Sequence, residues 1–462
     1  MKKLYVILAI IIFASIIFVP PITKDYDYPV LGQDAAWHLM VFDNIKIGQP
    51  IPTCMDVTGE VRYFSYYIVG YPLDLIHNIT GITKNTLFLW FNFASLFVMG
   101  VSLLFIFSKL FNIYIGILAL VIPIFTSFST LLLYYSGAIF DVINIGIILP
   151  FICYFVVKAL LTGKKLHWIC SIILGLVFVS FHSTGVYLPF IIIAGVVAYV
   201  AYKKITKQKI NKWFLISSAI STLLIGALFI VSNKQLTDLG FSLNNDGYYG
   251  IPLLWKTLSY YMSVTLLAVI IISLVFLVSR RKQVTKNEWL MLLVFSLPPI
   301  MMLPEIVFGI SPQPFRQGLD CAIMLSMVSI ILIGIVIKLD KSHFIAVVTL
   351  ILVVYGSFSN ISNWVTGYNS ALEKIDMEAI EYVNNLDIGN DYSASMNIDH
   401  VIYGRFINKQ YTPVNGGILI MRNKAMTSSG VMPEKDIEIP AGMSVIKVFV
   451  DGWTEIKVYS YR

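Results

Sequence analysis

Near the start of the chain, Gly32-Gln33-Asp34-Ala35-Ala36-Trp37-His38 sets a carboxylate and an imidazole four residues apart. On a helix such positions share a face, so Asp34 and His38 would project together. A carboxylate within hydrogen-bond reach of a weak nucleophile can act as its general base, which makes Asp34 the catalytic candidate. Capping the helix that follows is its structural alternative. His38 suits a substrate contact or a metal ligand, with an ordinary loop hydrogen bond as the competing role. Four further residues are candidates for substrate binding: Asp141, His182, Glu305 and Arg316. Asp141 follows Ser136-Gly137-Ala138-Ile139-Phe140 at the start of an apolar run, where an ionisable group is costly and marks function unless it serves the helix N-terminus. His182 ends another such run in Ser180-Phe181-His182-Ser183-Thr184-Gly185, a tight polar turn. Arg316 has a planar fork that can grip two phosphate oxygens, although snorkelling to lipid headgroups is its plainer role. Asp320 stands one turn further on as an ion-pair partner for it.

The elements that must position these residues are membrane spans. Apolar residues make up 57% of the chain and charged ones 13%, against about 25% charged in a soluble domain. Lipid must therefore be the solvent, and the net charge of +7 is no argument for nucleic acid, because the lysines fall in loops between apolar spans. A span needs about 20 mostly apolar residues, and the hydropathy pattern predicts about eleven of them. They lie near Leu4–Val19, Thr86–Ser108, Ile113–Leu132, Ile139–Leu161, Leu166–Phe181, Gly185–Tyr202, Trp213–Val231, Thr257–Val278, Trp289–Leu303, Leu319–Ile337 and Phe344–Phe358. The first ends in Phe-Val-Pro-Pro-Ile, with no small-residue cleavage site, and reads as an uncleaved anchor. The four cysteines, Cys54, Cys153, Cys170 and Cys321, show no ligand spacing and point to neither a zinc site nor a disulfide framework.

Basic residues orient the chain. Lys2, Lys3, Lys109, Lys158, the cluster from Lys164 to Lys212, Arg280 to Lys286, Lys338 and Lys341 collect on one side, which the positive-inside rule makes cytoplasmic. The N-terminus is then inside the cell, and Asp34, Asp74, Asp141, Glu305 and Asp320 sit at the outer face. Between Ser296 and Arg316 five prolines argue against regular helix and for a substrate groove.

The first outer loop, 23–85, is too long for a simple connector. Its second half, Tyr63 to Ile79, reads as an interfacial helix rich in tyrosine. Gly-x-Asp-x-x-x-His just after the first span, the break at Gly48-Gln49-Pro50, and Tyr71-Pro72 with Ile79-Thr80-Gly81-Ile82 before the second span resemble membrane glycosyltransferases of the GT-C fold. That group includes the oligosaccharyltransferase catalytic subunit, the protein O-mannosyltransferases and prokaryotic relatives. The resemblance implies transfer of a sugar from a polyprenyl-phosphate donor to a glycan, lipid or protein acceptor. It assigns the acidic catalytic position of the first outer loop to Asp34. The second acid of some members is missing here. Such a reaction needs a base for the acceptor hydroxyl and an anion beside the oxocarbenium-like centre. The leaving phosphate needs a cation, either Arg316 or a divalent metal such as magnesium or manganese.

After Phe358 the composition turns soluble. Glu373 to Leu386 reads as an amphipathic helix. Ser444–Val450, Asp451-Gly452 and Trp453–Ser460 read as a hairpin. The expected architecture is thus an all-α, GT-C-like membrane domain (1–358) followed by a small extracytoplasmic α/β domain (359–462), in the cell membrane. Two rivals are a glycolipid transporter or flippase, which would want polar groups along the helix interiors, and a non-catalytic scaffold of the same fold.

Overall fold

The computed structural model describes residues 2–23, 38–39, 42, 64–126, 139–181, 187–205, 209, 215–216, 218–220, 222–224, 251–308, 314–367, 374–387, 391–394, 407, 409–411, 417–422, 439–451 and 454–461. Most of these are helical. The helices are α1 (Lys2–Thr23), α2 (Phe64–Thr80), α3 (Lys84–Leu110), α4 (Ile113–Val121), α5 (Ile139–Thr162), α6 (Lys165–Phe181) and α7 (Tyr187–Ile205). They continue as α8 (Ile251–Lys256), α9 (Val264–Ser279), α10 (Lys286–Phe308), α11 (Pro314–Leu339), α12 (Phe344–Gly367) and α13 (Lys374–Asn384). Among the described residues, four helical stretches are long and apolar enough to cross a membrane, at Lys84–Leu110, Ile139–Thr162, Gly318–Leu339 and Phe344–Ser362. Leu4, Ile7, Leu8, Ile11 and Ile12 of α1, and Val354, Tyr355 and Phe358 of α12, face outward, a surface that lipid solvates and water would not. The chain is a helical membrane protein.

Local chemistry fixes where several helices begin and end. Thr83 caps α3 by accepting from the Thr86 N–H, and Asn112 caps α4 by accepting from Tyr114 and Ile115. Gly163 closes α5 in the left-handed region (φ +67°), a conformation that glycine adopts without steric cost. Thr285 and Glu288 form a capping box at α10: the Thr285 hydroxyl accepts from the Glu288 N–H, and the carboxylate accepts from the Thr285 N–H at 2.7 Å.

Contacts between the turns show which ends lie together. Lys158 donates to the Lys109 carbonyl, joining the α3–α4 and α5–α6 turns. Lys338 pairs with Glu288 at 2.6 Å, joining the α9–α10 and α11–α12 turns. Phe111 lies against Gly334, linking the two groups. This is the lysine-rich end, and the starts of α3, α5 and α11, with Asp74, Asp141 and Asp320, make the acidic end.

Of the five prolines Pro312 lies outside the described residues, and the other four do not break the helices as the sequence suggested. Pro298, Pro299 and Pro304 lie inside α10, and Pro314 opens α11, where its missing N–H costs nothing. Pro298 cannot bond the Val294 carbonyl four residues back, and the Cys153 thiol of α5 stands 4.0 Å from that oxygen. The Cys321 thiol of α11 makes a second link, 3.7 Å from the Pro299 carbonyl. At Val294 a neighbouring helix thus satisfies what a proline releases. Pro150 has a similar effect on α5, which widens to a π-helix over Asn144–Ile148 just upstream.

Beyond α12, which runs to Gly367, α13 packs on a sheet of order β2-β1-β3-β5-β4. Its strands are β1 (Asp391–Ala394), β2 (Gln410–Tyr411), β3 (Ile418–Arg422), β4 (Met443–Asp451) and β5 (Thr454–Tyr461). β2, β1 and β3 run parallel, whereas β5 is antiparallel to both β3 and β4, the hairpin read from the sequence. Ile375, Ala379, Ile380 and Val383 of α13 bury against Tyr392, Ile418, Ile420, Ile456 and Val458, a core separate from that of the bundle. Arg422 of β3 grips Asp376 of α13 through Nε (3.0 Å) and Nη2 (3.4 Å), both side chains almost wholly buried.

Candidate functional site at the acidic end

Four separate stretches of chain meet where α3 and α5 begin. The His38 ring is buried and stands edge-on to Phe140 of α5, with centroids 4.5 Å apart. It also meets Phe88 of α3 edge-on at 6.1 Å and Phe42 at 6.5 Å. His38, the last residue of the Gly-x-Asp-x-x-x-His motif, is therefore held against the residue adjacent to Asp141. Asp141 is 1% exposed in the first turn of α5, where the positive end of the helix dipole favours a carboxylate.

A residue absent from the sequence-based candidates locks this arrangement. The Lys84 ammonium, in the first turn of α3, donates to the Phe42 carbonyl at 2.7 Å and pairs with Asp74 of α2 at 2.9 Å. Asp74 also accepts from Asn78 Nδ2 at 3.1 Å. A cation in the first turn of a helix opposes the dipole. Burial beside a carboxylate and a carbonyl compensates it and ties α2, α3 and the His38 segment together. The sequence signal was present as Asp74 and Lys84 either side of the α2–α3 turn, but only the turn geometry puts them in reach.

Below this layer, α3 and α5 approach closely. A Cβ added at Gly146, inside the π-helix, would come 2.6 Å from Met99 Sδ. Asn144 donates to the Phe178 carbonyl of α6 at 3.1 Å, fixing the wide turn to a third helix. The start of α11 forms a second buried acidic position. Asp320 is fully buried, and a Cβ at Gly318 would meet Thr257 Oγ1 at 2.7 Å, so α11 is seated tightly on the π-turn that precedes α9.

The structure thus brings His38 to the neighbour of Asp141. Asp34 and His182 lie outside the described residues. Glu305 falls in the last turn of α10 and Arg316 in the first turn of α11, by backbone; their side chains lie outside those described. Among the described residues, no three of His, Cys, Asp and Glu gather as metal ligands.

No family model and no curated protein matches this chain. A solved structure does: the crystal structure of the Archaeoglobus fulgidus oligosaccharyltransferase in complex with zinc and sulfate. The match has a TM-score of 0.56 at 12% sequence identity and covers 88% of this chain and 63% of that one. The chain spans less than two thirds of that enzyme's length, and at this identity what the two share is a fold. This chain is similar in fold to an oligosaccharyltransferase.

Proposed function

We propose that this protein is a membrane glycosyltransferase that takes a sugar from a polyprenyl-phosphate-linked donor at the outer membrane face. The observation that carries the reading is the convergence at the acidic end, in a fold like that of an oligosaccharyltransferase. There the His38 segment, the start of α5 with Asp141 and the Lys84–Asp74 pair meet. In this reading the chain crosses the membrane about eleven times with its N-terminus in the cytoplasm, by the positive-inside rule. The domain after α12 is extracytoplasmic and helps select the acceptor, which is a glycan, lipid or protein.

Asp34 is four residues from His38, whose ring stands against Phe140 at the start of α5 and supports this reading. Its carboxylate would take the proton of the acceptor hydroxyl as that oxygen attacks the anomeric carbon. The bond to the donor phosphate breaks through an oxocarbenium-like state, which nearby carboxylates such as Asp141 stabilise. Arg316 lies in the first turn of α11, where the helix dipole adds to its charge, and receives the leaving phosphate. Glu305 and His182 contact the sugar or acceptor. No step here is routed through a metal.

The test is to load membranes containing the protein with polyprenyl-phosphate sugars labelled in the sugar and to follow release of label from the lipid fraction. Label should leave the lipid with the parent protein, and Arg316→Gln should raise the donor KM more than it lowers kcat. A full set of donors from which no label moves would refute the transferase reading.

A further inference from the structure

At the opposite end of the bundle lies a cavity that the proposed reaction does not use. It has a volume of about 130 Å³ and is enclosed by α5, α6, α7 and α10, with Ser218 at its edge. Its walls are Ile152, Val156, Ile172, Ile191, Leu293 and similar side chains. The few polar groups there are largely committed: the Ser171 hydroxyl already donates to the Trp168 carbonyl at 2.8 Å. A buried water needs two to four polar partners, so water gains little in this space and an apolar occupant gains much. The enclosure is incomplete on one side. Among the described residues α6 packs on α5 and α7 packs on α10, but α6 and α7 make few contacts with each other, which leaves a slot between them.

The slot ends among aromatic and basic residues. Trp168 and Tyr199 line the cavity nearest the lysine-rich end, where interfacial rings collect. Lys164 and Lys165 in the α5–α6 turn, Lys204 at the end of α7, Lys209 beyond it and Lys286 at the start of α10 are all exposed around it. Both nearby carboxylates are engaged elsewhere. Glu288 is held by Lys338 and Thr285, and Asp340 by Ser342 and the Ala346 N–H. These five lysines have no carboxylate partner among the described residues.

We propose that this is a binding site for one anionic phospholipid of the leaflet at the lysine-rich end, an acyl chain filling the cavity and the headgroup phosphate meeting the lysines. The occupant is fixed by two complementary features: a dry apolar slot open to lipid, and a cluster of uncompensated cations at its mouth. A neutral lipid would satisfy the first and leave the second unanswered.

Native mass spectrometry of the full chain, released from nanodiscs of equal phosphatidylglycerol and phosphatidylcholine, tests this. Each lysine near an anionic surface contributes about fivefold. One phosphatidylglycerol should therefore be retained over phosphatidylcholine by at least about tenfold. Gly195→Leu should abolish retention by filling the space, since Gly195 faces the cavity with Leu297 Cδ1 3.5 Å from an added Cβ. Replacing Lys164, Lys165, Lys204 and Lys209 together by glutamine should erase the preference for the anionic lipid. In the unaltered chain, phosphatidylglycerol with brominated acyl chains should quench a fluorescence component that Trp168→Phe removes. Equal retention of both lipids, retention unchanged in Gly195→Leu, or no quenching assigned to Trp168 would each overturn the proposal.

Discussion

The two ends of the helix bundle treat their carboxylates in opposite ways. At the lysine-rich end, Glu288 and Asp340 serve the chain beside them, as a capping box and as an acceptor for Ser342 and the first turn of α12. Burial pushes the Glu288 carboxyl up, but hydrogen bonds from Lys338 and Thr285 outweigh it and hold it below its ordinary value. The Ser342 hydroxyl, with backbone N–H groups, lowers Asp340 in the same way. At the acidic end, Asp74, Asp141 and Asp320 are buried where helices from distant parts of the chain converge. Stability accounts for the first set and for Asp74, whose pair with Lys84 ties α2 to α3. Asp141 and Asp320 are placed by tertiary packing instead, at the end where the proposed reaction would bring a lipid-linked substrate.

Breaking the Lys84–Asp74 pair should have the largest effect on stability, because removing one partner strands a buried charge. Lys84→Met is expected to cost about 3–5 kcal/mol and to lower the thermal midpoint in detergent, with Lys84→Arg recovering part of it. A midpoint unchanged in Lys84→Met would remove the lock from the account of the acidic end. The Asp376–Arg422 pair offers a control away from the bundle. Arg422→Met should cost a similar amount, about 3–5 kcal/mol, read as protease sensitivity of the C-terminal domain with the helices intact. Gly318→Ala is a smaller perturbation. The added methyl must displace Thr257, which overpacking data put at about 1–3 kcal/mol. Its loss of activity should exceed its loss of stability if the seat of α11 positions Arg316. The smallest effect belongs to the lysine-rich end, where Lys338 is half exposed and the ion pair is screened. Glu288→Gln should cost about 1 kcal/mol and leave activity unchanged. Since the folded-state value of Glu288 is lowered, its contribution is complete above the ordinary carboxylate range and drains as pH falls through the folded value. The midpoint gap between parent and Glu288→Gln should therefore close as pH is taken from about 7 to about 3.

What could be read from the sequence follows the same division. The C-terminal hairpin and the buried face of α13 are set by local periodicity, and both stand in the structure at the residues expected. Apolar runs located the helices because hydropathy is also a local property. The proline-rich stretch misled, because whether a proline breaks a helix depends on what can donate to the carbonyl it orphans. Here Cys153 on another helix supplies that for Val294. The Lys84 lock was illegible for the same reason, since the Phe42 carbonyl lies 42 residues away and only the α2–α3 turn brings Asp74 into reach. His38 was legible as a candidate, but two of its phenylalanine neighbours, Phe88 and Phe140, come from other segments and could not be named in advance.

The central claim is that the carboxylate of Asp34 does chemistry at the acidic end. It is tested most directly in cells lacking the gene, restored with either the parent protein or Asp34→Asn at matched membrane levels, by mass spectrometry of lipid-linked glycans and surface glycoproteins. The account predicts a sugar absent from both the deletion strain and the Asp34→Asn strain and present with the parent, which would also name what is transferred. Full rescue by Asp34→Asn would contradict it and shift weight to the transporter or the scaffold.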